Sequence, residues 1–330
     1  MTSMHVPVWG VWIMVACLAG FVLLAVRTVK KNRGIHRSLF AWPYGFWMVV
    51  FTVLPLVLIA YYSLTDKNGQ FTLSNFANFW DSNYETKQQF VAMGYDPVEL
   101  GIAERGMVNV NTLTYSIWMA FLCTVISLLL GYPAALIMAD RNFKLGATVV
   151  VLFVIPMWMN FLLRTIAWMS LLEDNGLINR LLERLGLGKV QLMYNSQAVL
   201  LGMVYNYLPF MVFPVYNSLA KQDFRLSEAS MDLGADSWKT FWRVTFPLSM
   251  PGIVSGITMV FMPSVTTFFI PRVLGGGNTE MFGDLIERTF LTANNWNVGS
   301  ALSLIMMLLI LASLSILRKV DPEGEGGGVI

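Results

Sequence analysis

Apolar residues in this chain fall in long unbroken runs, without the strict alternation that marks half-buried strands. The runs at 8–26, 40–62, 111–139, 147–171, 197–219, 248–271 and 298–317 each approach or exceed the ~20 residues a helix needs to cross a bilayer. The pattern therefore predicts an all-α integral membrane protein with seven spans. Three polar stretches interrupt it: 63–110 with its NGQ, SNF and YDP turn signals, 172–196 with the helical pattern LINRLLERLGL, and 227–252, SEASMDLGADSWKTFWRVTFPLSMPG. The first is expected to form short helices in a loop. The amphipathic second is expected to lie at the outer membrane surface.

Composition agrees with that reading. Of 330 residues 56% are hydrophobic and 13% charged, and a net charge of +2 gives no basis for a nucleic-acid partner. Cys17 and Cys123 fall inside apolar runs and act there as small hydrophobes, and neither His5 nor His36 belongs to a metal-binding or catalytic spacing. Orientation follows from the basic residues. Arg27, Lys30, Lys31, Arg33, Arg37, Arg141, Lys144, Lys221, Arg225, Lys239, Arg243, Arg318 and Lys319 gather on one side of the seven-span scheme, while the other side has fewer over much longer loops. The expected placement is multi-pass, with the N-terminus outside and the C-terminus in the cytoplasm. No basic residue precedes the first run and five follow it, so it is expected to be a retained anchor and not a signal peptide. The organisation is then an anchor and basic linker at 1–39, a span and outer loop at 40–110, a core at 111–317 containing a cytoplasmic loop at 220–248, and a disordered glycine-rich tail at 318–330.

The loop has chemistry of its own. Ser227 is expected to cap a short helix with Glu228 in its first turn, and Gly234 to stop it. Asp236 is expected to cap a second helix, on which Trp238, Phe241 and Trp242 share one face. Pro247 is expected to break the chain before the next span.

The spacing of Glu228, Ala229, Gly234, Val244, Phe246 and Pro247 resembles the EAA loop of permease subunits of ATP-binding-cassette importers, E-A-A-x3-G-x9-I-x-L-P, with Ser230, Val244 and Phe246 as departures. The resemblance implies a type I importer permease fold of six core spans plus one extra N-terminal helix. It implies ATPase coupling through Glu228, Ala229, Ser230, Leu233, Gly234, Ala235, Trp238 and Pro247. The segments GYPAALIMA at 131–139, IPMWMNFLLRTIAWMSLLEDNGLIN at 155–179, YNYLPFMVFPVYNSL at 205–219 and FIPRVLGGG at 269–277 further resemble spermidine/putrescine importer permeases. The implied partners are a second, related permease subunit, two ATPase subunits and an extracytoplasmic solute-binding protein, in a bacterial cytoplasmic membrane. No cofactor is expected in this chain, ATP and magnesium residing on the ATPase.

A passage for a polycation should offer carbonyls, hydroxyls and aromatic faces, each cation–π contact contributing roughly 0.5–2 kcal/mol. Trp158, Asn160, Trp168, Tyr205, Asn206, Tyr207, Thr266, Thr267, Phe268 and Phe269 are the candidates as a cluster, while packing or an interface belt is the preferred account of any one of them. Arg164, inside a span, is expected to snorkel outward or pair with Glu173 or Asp174 as a gate element. Thr267 and Arg272 stand where putrescine-type relatives can carry acids, which leaves room for another small solute. No G-x4-G-K-[ST] loop occurs, so the chain is expected to be a translocation subunit without ATP hydrolysis of its own. An ion-coupled secondary transporter would call for inverted repeats and buried carboxylates, and the sequence displays neither.

Overall fold

The computed structural model describes residues 44–93, 95–96, 106–140, 143 and 145–320. Its helices are, in order, α1 (Tyr44–Ser63), α2 (Ser74–Trp80), α3 (Tyr84–Ala92), α4 (Val108–Ala139), α5 (Gly146–Val154), α6 (Phe161–Leu172), α7 (Leu177–Arg184), α8 (Ser196–Ala220), α9 (Phe224–Asp232), α10 (Ser237–Thr240), α11 (Phe246–Thr266), α12 (Phe269–Gly275), α13 (Phe282–Leu291) and α14 (Trp296–Val320). Five segments are long and apolar enough to cross a membrane: α1, α4, α8, the run from α10 through α11, and α14. α5 and α6 pass the same test only as a pair, bent by 95° at the break between them, the geometry of a broken sixth span or of a re-entrant loop. The expected span at 8–26, its linker and the tail beyond 320 lie outside the described residues.

The single span expected over 147–171 is thus two helices meeting at a corner. Pro156, in a 3-10 turn at Ile155–Trp158, has no N–H to continue an α-helix. Asn160 then starts a new helix, its Oδ1 accepting from the N–H groups of Leu162 and Leu163. Apolar composition alone concealed the break. A second boundary also moved: the span expected over 248–271 ends at Thr266, and α12 begins after Thr267 and Phe268.

Lipid tails give helices no hydrophobic reason to associate, so close packing and internal hydrogen bonding must hold the bundle. The centre is α4, α8 and α11, with Met119, Cys123, Met203, Met211, Val215 and Val260 buried among them. Glycines allow the approach: a Cβ on Gly252 would lie 2.5 Å from Ser218 Cβ and 2.7 Å from the Pro214 carbonyl. Hydroxyls within the spans bond back to their own helix, as Ser116 does to Thr112, Thr124 to Ala120 and Ser264 to Val260. A second cluster joins α2, α4, α11, α13 and α14 through Phe79, Leu113, Val265, Phe282, Leu285 and Leu302.

The loop after α1 contains the short helices expected of it. Buried asparagines tie it to the ends of the spans: Asn75 donates to the Ser63 and Thr65 carbonyls, Asn297 to the Thr65 carbonyl, and Asn109 to the Asn78 carbonyl. Asp81 closes the loop by pairing with Lys87 at 2.6 Å and accepting from the N–H groups of Asn83 and Gly106. Burial works against its charge, but Lys87 and the two amides outweigh burial and hold the carboxyl below its ordinary 3.8.

A depressed carboxyl contributes stability above its unfolded pKa, and that contribution is lost as pH falls below 3.8. Protection of the Gly106 N–H against hydrogen exchange should therefore be independent of pH above that value and fall below it, whereas Asp81→Asn should abolish the pH dependence. At the bundle centre, Gly252→Val should lower the stability of the solubilised protein by ~1–3 kcal/mol, read as a shift in its thermal transition.

Candidate functional site

At one end of the bundle α8 stops at Ala220 and the chain makes two short helices before re-entering. Asp223 caps α9, its Oδ1 accepting from the Arg225 N–H. The helix thus begins before Ser227, the expected cap, which sits inside it. Glu228 accordingly lies beyond the first turn, and the dipole argument made for it does not apply. The stop is as expected: Gly234 has φ +91°, its N–H bonds the Met231 carbonyl, and the Ala235 N–H bonds the Ser230 carbonyl, the pair of bonds that closes a Schellman turn. No heavy atom would lie within 4 Å of a Cβ at Gly234, so the requirement there is for backbone conformation and not for space.

Asp236 caps α10 through the Lys239 N–H at 2.8 Å. Ser230 and Thr240 join the two short helices hydroxyl to hydroxyl at 3.1 Å. The expected break at Pro247 does not occur. A π-turn at Phe241–Thr245, in which the Phe246 N–H reaches the Phe241 carbonyl, absorbs the missing donor, and the helix continues into the span. Trp238 stacks on Phe241, and Trp242, Phe241 and Phe246 extend the ring cluster to Tyr132 of α4. Tyr132 in turn bonds Ser249 at 3.0 Å. The aromatics therefore brace the loop on its own bundle, while Leu233 at the turn is 90% exposed and Trp238 is 69% exposed. A cavity of 850 Å³ beside them is lined by Asp140, Arg225, Glu228, Met231, Thr240 and Phe241.

The proposed pathway residues are distributed unevenly. Trp168 and Tyr205 meet edge to face with ring centroids 5.0 Å apart. Tyr207 donates to the Pro263 carbonyl, and Thr266 bonds carbonyls one turn back in the same helix. Asn206 is fully buried, donates to Gly202 in its own helix and leaves its Oδ1 without a partner among the described residues. Thr267 is buried at the end of α11, and Phe268 and Trp158 are exposed. Asn160 serves as the cap described above. Arg164 is 7% exposed and donates from Nη1 to the Pro156 carbonyl at 2.8 Å, in place of the expected bond to Glu173 or Asp174. The bend brings the Pro156 carbonyl, which also accepts from the Met159 N–H, within reach of the guanidinium.

One feature escaped the sequence. Arg272 on α12 binds both Asp284 and Glu287 of α13, and Arg288 pairs with Glu280 at 2.8 Å. Carboxylates thus stand next to Arg272 after all, supplied from twelve and fifteen residues downstream. Glu287 also lines, with Thr266, Phe268, Phe290 and Met306, a groove of 570 Å³. Burial, then the neighbouring Asp284, raises the Glu280 pKa, with Arg288 opposing.

The family model for the binding-protein-dependent transport system inner membrane component matches residues 131–323, which include the two-helix loop and its aromatic brace. The chain belongs to this family. Among similar proteins, the spermidine/putrescine transport system permease protein PotB of Escherichia coli K12 is 32% identical over 84% of this inner-membrane component and 98% of its own length. The Haemophilus influenzae PotB is 31% identical over 84% and 94%. A bacterial ABC transporter involved in import of the acidic polysaccharide alginate superposes with a TM-score of 0.64, covering 90% of this chain and 99% of that one at 14% identity, a likeness of fold alone.

Replacing Arg164 with Met should remove the guanidinium bond to the Pro156 carbonyl, which keeps only the Met159 N–H at 3.2 Å, and lower stability by ~0.5–1.5 kcal/mol. Hydrogen exchange should rise at residues 155–165 and stay unchanged across α11.

Proposed function

We propose that this inner-membrane component is the permease subunit of an ATP-driven importer that carries a polyamine such as spermidine or putrescine. One observation carries the coupling half of that reading: a two-helix loop locked by a glycine turn, braced from behind by Phe241 and Tyr132, that leaves Leu233 and Trp238 exposed among the described residues. An exposed apolar tip on a braced support suits a docking contact with another subunit. In this proposal the loop faces the cytoplasm, with the N-terminus outside and the C-terminus inside. It sits on one of two ATPase subunits that hold ATP and magnesium, and a second, related permease completes the passage. A solute-binding protein delivers cargo from outside, and closure of the ATPases turns the paired permeases outward.

The cargo half rests on the likeness to PotB and on charge. The Arg272 charge is outnumbered by Asp284 and Glu287, so the carboxylates that seemed absent at this position are supplied by α13. That supports a cationic solute over an anionic one. Trp168 and Tyr205 add ring faces suited to ammonium groups.

Gly234→Val should leave membrane insertion intact but abolish solute-stimulated ATP hydrolysis by the reconstituted complex, because a β-branched residue at φ +91° costs roughly 1–3 kcal/mol and reshapes the tip. Unchanged stimulation would contradict coupling through this loop. The same assay run with putrescine, spermidine, amino acids and organic anions assigns the cargo: stimulation by anions but not by polyamines would reject the polyamine reading while leaving the coupling reading standing.

A further inference from the structure

Helix α7 leaves part of its apolar surface unburied. Asn179 fixes its roll: fully buried, it donates to the Glu173 carbonyl and accepts from the Val190 N–H at 3.0 Å. That roll turns Ile178 toward the core. It leaves Leu177, Leu181 and Leu185, spaced four apart and so aligned along one stripe, exposed to the outside. Gly186 and Gly188, at φ +76° and +73°, turn the following chain so that Leu187 and Val190 extend the same exposed surface. Leu185 is 73% exposed and Leu187 68%, values that water would penalise.

Helical spacing places Arg180 and Arg184 along one edge of the leucine stripe, and both are exposed. Glu183 lies farther round and is matched by Lys189 at 3.8 Å. Only the turn at 173–176 separates α7 from α6, half of a bent apolar pair with the length and composition of a broken span or a re-entrant loop, and either geometry puts the start of the stripe near the bilayer surface.

An apolar stripe edged by guanidinium groups next to this bent apolar pair matches the boundary between acyl chains and anionic headgroups. We infer that α7 and residues 185–190 form a lipid-binding anchor, with the leucines in the acyl region and Arg180 and Arg184 on anionic headgroups. Because α6 and α7 are joined so closely, the anchor also holds the corner at Pro156–Asn160 in place. Phe161 at that corner packs on Phe269 of α12, so lipid seating bears on the α12–α13 region as well.

The test uses the unmodified full chain in vesicles of phosphatidylcholine mixed with phosphatidylglycerol that has a photoreactive diazirine in its acyl chain, with adducts mapped by mass spectrometry. Adducts on Leu177, Leu181, Leu185 or Leu187 are expected. Labelling of α1 and α14 with none on 177–190 would overturn the anchor. So would loss of those adducts when a purified solute-binding protein is added, since a protein would then be the occupant. In Arg180→Gln/Arg184→Gln the adduct yield from phosphatidylglycerol should fall by about five-fold per arginine, with the yield from a phosphatidylcholine analogue unchanged. An equal fall for both lipids, or none for either, would overturn the headgroup contact.

Discussion

Inside a bilayer no water is available for a backbone group that loses its helical partner, and three irregularities in this bundle are placed where that loss is repaired. Two prolines near the start of a helical segment show one repair. Pro55 and Pro247 each follow a π-turn, at Val49–Val53 and Phe241–Thr245, in which the preceding N–H reaches five residues back. The helix passes both without a break. Pro156 shows another: the helix does break, Asn160 caps the new one, and the Pro156 carbonyl accepts from both the Met159 N–H and the Arg164 guanidinium. The Arg164 Nε stays without a partner among the described residues, so the corner is repaired while part of the buried charge is left unmatched.

The same economy explains why the loop at 220–248 has a definite shape. It lies beyond the apolar spans, yet its carbonyls are closed by the Gly234 turn and its helices are capped by Asp223 and Asp236. Ring packing from Trp238 through Phe241 to Tyr132 fixes the loop to α4, and Tyr132 bonds on to Ser249 of α11. A displacement at the tip therefore has a packed route to two of the central helices. Such a route is what a subunit driven by a partner would require, since packed elements transmit displacement with little compliance.

Much of this was legible in sequence because it is local. Gly234 and Asp236 act on neighbours within four residues, and their roles follow from residue type and position. The apolar runs gave the spans for the same reason. Competition between equivalent signals was not legible: Asp223 and Ser227 are both capping residues, and only the end of α8 decides that the first is used. The break at Pro156 was masked because Met157, Trp158 and Met159 keep the run apolar on both sides of it. The pairing of Arg272 with Asp284 and Glu287 depends on the fold of the whole 269–291 region, which no local pattern specifies.

In the proposed transporter the exposed tip at Leu233 is covered by a separate ATPase subunit. Incorporation of a photoreactive amino acid in place of Leu233, followed by irradiation of membranes containing the assembled transport system, tests it directly. A covalent adduct between this chain and the ATPase subunit is the predicted result. Adducts with lipid alone, in membranes where the ATPase is present and bound, would contradict it.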